Sequence, residues 1–224
     1  MNTENLEGVK NFMNKVHILG LGPGHPSYIL PITKEIIKDS DIIIGGKRNI
    51  ESILALVENK EIYYVDKYLD KLIKYIEKNN EKKISVVVSG DSGFYSLLTY
   101  IKNNYKGELE VVSGISSMQY MFSKTCETWD DAFISSVHGR YLDFSNHLGT
   151  YKKIGLLTDN KYTPQNIAKI LLEKKFTNFE IIVGENLSYD NEVISKYEVE
   201  ELVYEERIFD INVVVIREVR TCTI

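Results

Sequence analysis

The chain has few of the residues that staple or metallate small proteins, with two cysteines and four histidines in 224 residues. Cys126 and Cys222 stand alone in unrelated surroundings, so neither a disulfide framework nor a metal knuckle is indicated. His17, His25, His138 and His147 fall at no ligand spacing, and no metal is expected. No apolar run reaches the length of a membrane-spanning helix, and the N-terminus lacks a signal-peptide core. A soluble, cytoplasmic protein without membrane association is therefore expected. A basic excess is missing as well: the net charge is −5, whereas nucleic-acid binders present a basic face. No nucleic-acid partner is expected, and any anionic ligand has to be held locally.

What remains is a globular composition, 43% hydrophobic and 26% charged, in a chain long enough to bury a real core as one large or two small α/β domains. The four prolines stand at 23, 26, 31 and 164, and the last two fit the first position of helices at 31–39 and 164–174. Leu30 is a poor cap for the first of these. Short β-branched runs predict strands at 16–19, 41–44, 62–65, 85–88, 109–112, 129–137, 154–157, 179–183, 193–195 and 211–216. Helical spacing predicts helices at 47–57, 67–78 and 94–101, and one through 126 capped by Ser116 or Ser117. There is no internal repeat. The pattern restarts after 146–150, which divides the chain into an N-terminal extension (1–15), a first α/β domain (16–145) and a second (146–224).

The most informative stretch is ISVVVSGDSGFYSLLTY, residues 84–100: a buried strand, a tight polar turn and a helix in succession. Gly90 and Gly93 allow a ligand close to the backbone, and Asp91 lies at the carboxyl end of a strand, where open α/β sheets bind ligands. An ordinary connection with Asp91 or Ser92 as N-cap is the plainer reading, and the residues alone leave both open. The turn after the first strand, GLGPGHP, is no dinucleotide fingerprint. His25 stands where a third glycine is needed, and Pro23 and Pro26 offer no N–H.

Taken in order, GLGPG, SGDSGFYSLL, SGISSMQY, WDDAFISSVHGR, LLTDN and GENLSYDNEVI resemble the tetrapyrrole methylases, and within them the branch that methylates C5 of cobalt-precorrin-7, the CbiE type. The resemblance covers roughly 16–216. It implies two consecutive α/β domains with S-adenosylmethionine in the cleft between them, held by Pro23, by Ser89, Gly90, Asp91 and Phe94, by Ser116 and Ser117, and by backbone near Leu157 and Leu187. It implies a cobalt-corrinoid substrate whose carboxylates pair with His138 and Arg140, and more weakly with Lys47 and Arg48. Without it, 138–140 reads as a surface turn. Cobalt enters only as part of the substrate. A homodimer is implied, and so is a separate enzyme that methylates C15 and decarboxylates, for which this chain has no room. The family usually has proline at the positions of Ser92 and Ser113 and threonine at that of Leu30. No general base is assigned, because holding donor and acceptor carbon in line supplies much of the catalysis. Alternatives are a methylase of another precorrin or of a non-tetrapyrrole acceptor, and a silent nucleotide-binding module.

Overall fold

The computed structural model describes residues 15–219, so the expected extension lies, Lys15 apart, outside the described residues. The described residues form two compact units, 15–21 with Leu30–Ser113, and Gly22–Ile29 with 114–219. The expected division at residue 146 is therefore corrected in two ways. The second unit begins at Gly114, and it also takes in an eight-residue excursion directly after the first strand. Neither feature interrupts the alternation of strands and helices, and the restart of that pattern was what placed the break at 146–150.

The first unit is a parallel sheet of β1 (Val16–Gly20), β2 (Ile42–Gly45), β3 (Glu61–Tyr64), β4 (Ile84–Val88) and β5 (Leu109–Val112), in the order β3-β2-β4-β1-β5. All four strand pairings are parallel. A strand covered on both faces needs no polar alternation, and β2 and β4 are buried at every position. Each fully buried isoleucine, such as Ile42, Ile43 and Ile44, contributes about 1.5–3 kcal/mol. One polar side chain inside β4, Ser85, is satisfied by Ser40 at 2.7 Å between the two hydroxyls. The connecting helices are α1 (Pro31–Asp39), α2 (Lys47–Glu51), α3 (Leu69–Lys78) and α4 (Leu98–Asn104). Pro31 opens α1, and Leu30 provides no side-chain cap. In α3 the buried face is Leu72, Ile73 and Ile76, with Asp70 in the first turn and Lys78 in the last, as the helix dipole favours.

The second unit is a mixed sheet of β6 (Phe133–Ser136), β7 (Lys153–Leu157), β8 (Phe179–Glu185), β9 (Val193–Glu198) and β10 (Asn212–Glu218), in the order β6-β7-β10-β8-β9. Only β6 and β7 run parallel. Its helices are α5 (Ser117–Lys124), α6 (Pro164–Glu173) and α7 (Val199–Val203). The core joins Ile154, Leu156, Val214 and Ile216 of the sheet to Ile167 and Leu171 of α6 and Leu202 of α7. Against the expected elements, α2 ends early and is followed by a 3-10 turn at Leu54–Leu56, while α7 was not anticipated.

Candidate functional site

In the first unit the carboxyl end of the parallel sheet carries the central turn. Gly90 has φ +67, the left-handed region that favours glycine. Asp91 accepts the N–H of Gly93 at 2.8 Å, which folds the turn back on itself. Ser92 caps nothing: it is fully buried, and its hydroxyl donates to the carbonyl of Val112 at 2.7 Å and to that of Ile18 at 3.3 Å. It thereby ties the turn to the neighbouring strand ends. The expected helix from Phe94 does not start there. Tyr95 takes φ +51 and the Ser96 hydroxyl bonds back to the carbonyl of Ser92, so regular helix begins only at Leu98. Phe94 stays in the turn, edge-on to Tyr95 with ring centroids 4.8 Å apart.

Ser89 is exposed and donates its hydroxyl to Oδ1 of Asn49 at 2.7 Å. Asn49 therefore belongs with this turn, and sequence reasoning missed it. The only available signal was its place on the short helix after β2, whose end Gly45 lies beside Val87 of β4. Lys47 and Arg48 precede it on the same helix, both exposed, with Lys47 paired to Glu51 at 3.8 Å.

In the second unit three expected segments meet other partners. Pro23 lies on Gly22–Ile29, where the His25 N–H donates to the Ser188 hydroxyl at 2.8 Å and Tyr28 stands edge-on to Tyr120 at 5.1 Å. Gly24, at φ +156, sits where any Cβ would overlap the Tyr189 ring. Ser116 is spent as the cap of α5: its hydroxyl accepts from Gln119 N–H at 3.0 Å, and its own N–H donates to the Gln119 side chain at 2.9 Å. Its hydroxyl thereby serves the cap as an acceptor and keeps its own hydrogen to donate, and Ser117, at the first helical position, has a backbone N–H with no partner inside the helix.

Leu187 is flanked by two non-glycine residues in the left-handed region, Asn186 at φ 48 and Ser188 at φ 71. Such backbone costs on the order of 1–3 kcal/mol per residue and persists only where contacts over-determine it. Its side chain is buried, the residue being 5% exposed. Its own N–H and C=O have no hydrogen-bond partner among the described residues. A backbone donor and acceptor side by side suit the edge of a purine. The carbonyl of Leu157, by contrast, already accepts the Val137 N–H at 2.9 Å.

His138 and Arg140 follow β6 and are exposed. The His138 ring holds the Thr158 carbonyl at 3.2 Å through Nδ1. A carbonyl only accepts, so Nδ1 carries a hydrogen and donates it, leaving Nε2 as the ring atom not engaged by that bond. Asp159 accepts the N–H groups of Gly139, Lys161 and Tyr162 at 2.7, 2.9 and 2.8 Å. Those bonds, Gly139 first, hold its carboxyl below the usual aspartate range. His138 and Asp159 line a cleft of about 1070 Å³ together with Arg207, Phe209 and Asp210. Arg207 is locked there by a two-pronged pairing with Glu185 at 2.7 and 3.3 Å. The WDDAF segment does not join this cleft. Asp131 pairs with Lys153 at 2.6 Å, and Glu127 pairs with Arg217 at 2.5 Å, at the end of β7 away from Leu157. Among the described residues no group of His, Cys, Asp or Glu could hold a metal ion, and no helix is long and apolar enough to cross a membrane.

Comparison with known proteins identifies relatives of the chain. The family of tetrapyrrole (corrin/porphyrin) methylases matches residues 15–203. The cobalt-precorrin-7 C(5)-methyltransferase of Salmonella typhimurium is 29% identical over 178 residues, 79% of this chain and 87% of that one. A probable cobalt-precorrin-7 C(5)-methyltransferase of Methanocaldococcus jannaschii is 31% identical over 195 residues, 84% and 90% of the two chains. Among solved structures, the precorrin-6Y methylase CbiE of Archaeoglobus fulgidus superposes with TM-score 0.71 at 18% identity, over 92% of this chain and 99% of that one. A Thermus thermophilus uroporphyrin-III C-methyltransferase complexed with S-adenosylhomocysteine gives 0.72 at 16% identity, over 91% and 92%. The structural likenesses establish the fold alone, and the sequence matches establish the family: the chain belongs to the tetrapyrrole (corrin/porphyrin) methylases.

Proposed function

We propose that this chain is an S-adenosylmethionine-dependent C-methyltransferase that methylates C5 of cobalt-precorrin-7 in cobalamin biosynthesis. The observation that carries the reading is the 31% identity, over 84% of the chain, to a probable enzyme of that specificity. The geometry supports it in the turn that follows β4, with its left-handed glycine and carboxylate, and in the unpartnered backbone of Leu187.

The methyl donor supplies an electrophilic methyl group on a sulfonium; the protein's part is to hold and align. The turn at Ser89, Gly90, Asp91 and Phe94 is suited to the amino-acid end of the donor, with Asn49 fixing Ser89. The N–H and C=O of Leu187 are suited to the adenine edge, and Pro23, Ser117 and backbone near Leu157 complete the set. Ser116 caps α5 through its hydroxyl oxygen and has its O–H left for the donor. His138 and Arg140 take substrate carboxylates from one side, and Lys47 and Arg48 are further candidates. No step needs a protein-bound metal; cobalt arrives with the substrate.

The same reading carries a cytoplasmic homodimer working beside a separate C15-methylating decarboxylase, supported by the resemblance of the motifs. The testing experiment is calorimetry with S-adenosylmethionine and with NAD, followed by mass spectrometry after incubation with cobalt-precorrin-7. Binding of the former alone, and a gain of one methyl with all carboxylates retained, are expected. Binding without methyl gain would move the acceptor elsewhere in the family.

A further inference from the structure

Beneath the two loops that carry Pro23 and Leu187 lies a cluster that no motif reading anticipated. Glu192 is mostly buried, its side chain 16% exposed. One carboxylate oxygen accepts the Ser188 N–H at 2.7 Å and the other pairs with Lys124 Nζ at 2.8 Å. The Tyr120 hydroxyl, itself bonded to that of Tyr28, donates to the same carboxylate. Burial pushes the Glu192 carboxyl up, but Lys124, the Ser188 N–H and Tyr120 outweigh it and the net direction is down. Burial first, then the bond to Glu192, pushes the Tyr120 hydroxyl up. The group is thus an ionised carboxylate spanning α5, the loop 186–192 and, through Tyr28, Gly22–Ile29.

The placement of Ser188 gives this cluster a purpose. Its N–H is pinned by Glu192, its backbone is left-handed at φ 71, and its hydroxyl accepts the His25 N–H at 2.8 Å. One residue therefore couples both loops, and the carboxylate that fixes it also fixes the turn exposing the backbone of Leu187. We propose that Glu192 is a positioning residue for the methyl donor: through Ser188 it holds the segments of Pro23 and Leu187 as one preformed adenosyl-binding surface. This rests on the cofactor reading above. An uncommon backbone held by an ionised buried partner is what a preorganised ligand clamp requires, since the loop ordering is completed before binding. Packing alone would not need the donors of three separate residues converging on one carboxylate beside two left-handed non-glycine positions.

The test compares Glu192→Ala, Glu192→Gln and the unaltered chain by calorimetry with S-adenosylhomocysteine, steady-state methyl transfer, and amide hydrogen exchange. In Glu192→Ala the dissociation constant should rise about tenfold or more, the loss of one charge-assisted anchor. The turnover number at saturating donor should stay within about threefold. Glu192→Gln keeps an acceptor for the Ser188 N–H and should recover most of the affinity. Exchange should accelerate together over 22–29 and 186–192 in Glu192→Ala while the strands stay protected. Unchanged affinity despite faster exchange overturns the proposal, as does acceleration in only one segment. If the unaltered chain binds no S-adenosylhomocysteine, the cofactor reading fails, and the exchange data still decide whether Glu192 couples the two loops.

Discussion

Replacing Arg207 by methionine tests how the wall of the His138 cleft is held. Glu185, at the end of β8, is 3% exposed. Its carboxylate receives the two guanidinium nitrogens of Arg207 at 2.7 and 3.3 Å and the Asp210 N–H at 2.8 Å. The guanidinium also reaches the Tyr197 hydroxyl at 3.2 Å and lies 4.1 Å from the Phe209 ring centroid. Removing one partner of a buried ion pair costs about 3–5 kcal/mol because the remaining charge is left uncompensated. Two features reduce that here. The Arg207 side chain is 38% exposed, so part of its charge is already solvated, and the Asp210 N–H still serves the carboxylate. A loss of about 2–3 kcal/mol is expected, read as a urea midpoint lower by about 1 M. The double variant Glu185→Gln, Arg207→Met should regain at least half of that loss, since a neutral amide no longer leaves a charge buried. Chemical denaturation of the four proteins of this cycle measures it. A loss below about 0.5 kcal/mol for Arg207→Met, or a double variant no better than the single one, would refute the account of this wall.

Two further outcomes follow from the same geometry. Asp159 has its carboxyl pulled down by three backbone N–H groups, so it stabilises the fold above the unfolded carboxylate range, and that contribution is lost as pH falls through its lower native value. Asp159→Asn should flatten the acid limb of a stability-against-pH curve and leave the neutral-to-alkaline part parallel; an unchanged acid limb contradicts the assignment. Gly24→Ala places a methyl on the Tyr189 ring at a backbone angle that L side chains rarely adopt. It should weaken donor binding more than substrate use, with calorimetry and KM values for both ligands as the check. Equal binding would remove Gly22–Ile29 from the donor site.

Much of the fold was legible where a single physical cause dominates. The strands at 42–45 and 84–88 are buried at every position because parallel strands are covered on both faces, and Pro31 and Pro164 mark helix starts because they need no N–H there. The misreadings have specific causes. Phe94 to Leu97 has helical spacing, but the Ser96 hydroxyl bonds the Ser92 carbonyl and delays the helix. The strand expected from Trp129 begins only at Phe133, since 127–131 is drawn into ion pairs with Lys153 and Arg217. The helix Val199–Val203 is opened by Glu198 in a capping box with Glu201, a residue type that cap rules do not single out. Of the site, the positions that need glycine or sit at strand ends could be named from motifs. Asn49, Glu192 and the link from His25 to Ser188 could not, because each is a contact between residues at least 40 positions apart or a role set by its neighbours in space.

The proposed reaction adds one methyl group to one carbon of a corrinoid. The most direct measurement supplies donor labelled with carbon-13 in its methyl group together with cobalt-precorrin-7 and follows the product by NMR after removal of cobalt. A single new methyl resonance correlated with C5, with every carboxylate retained, is expected. Label at another carbon, on oxygen or nitrogen, or none in the corrinoid, would contradict it.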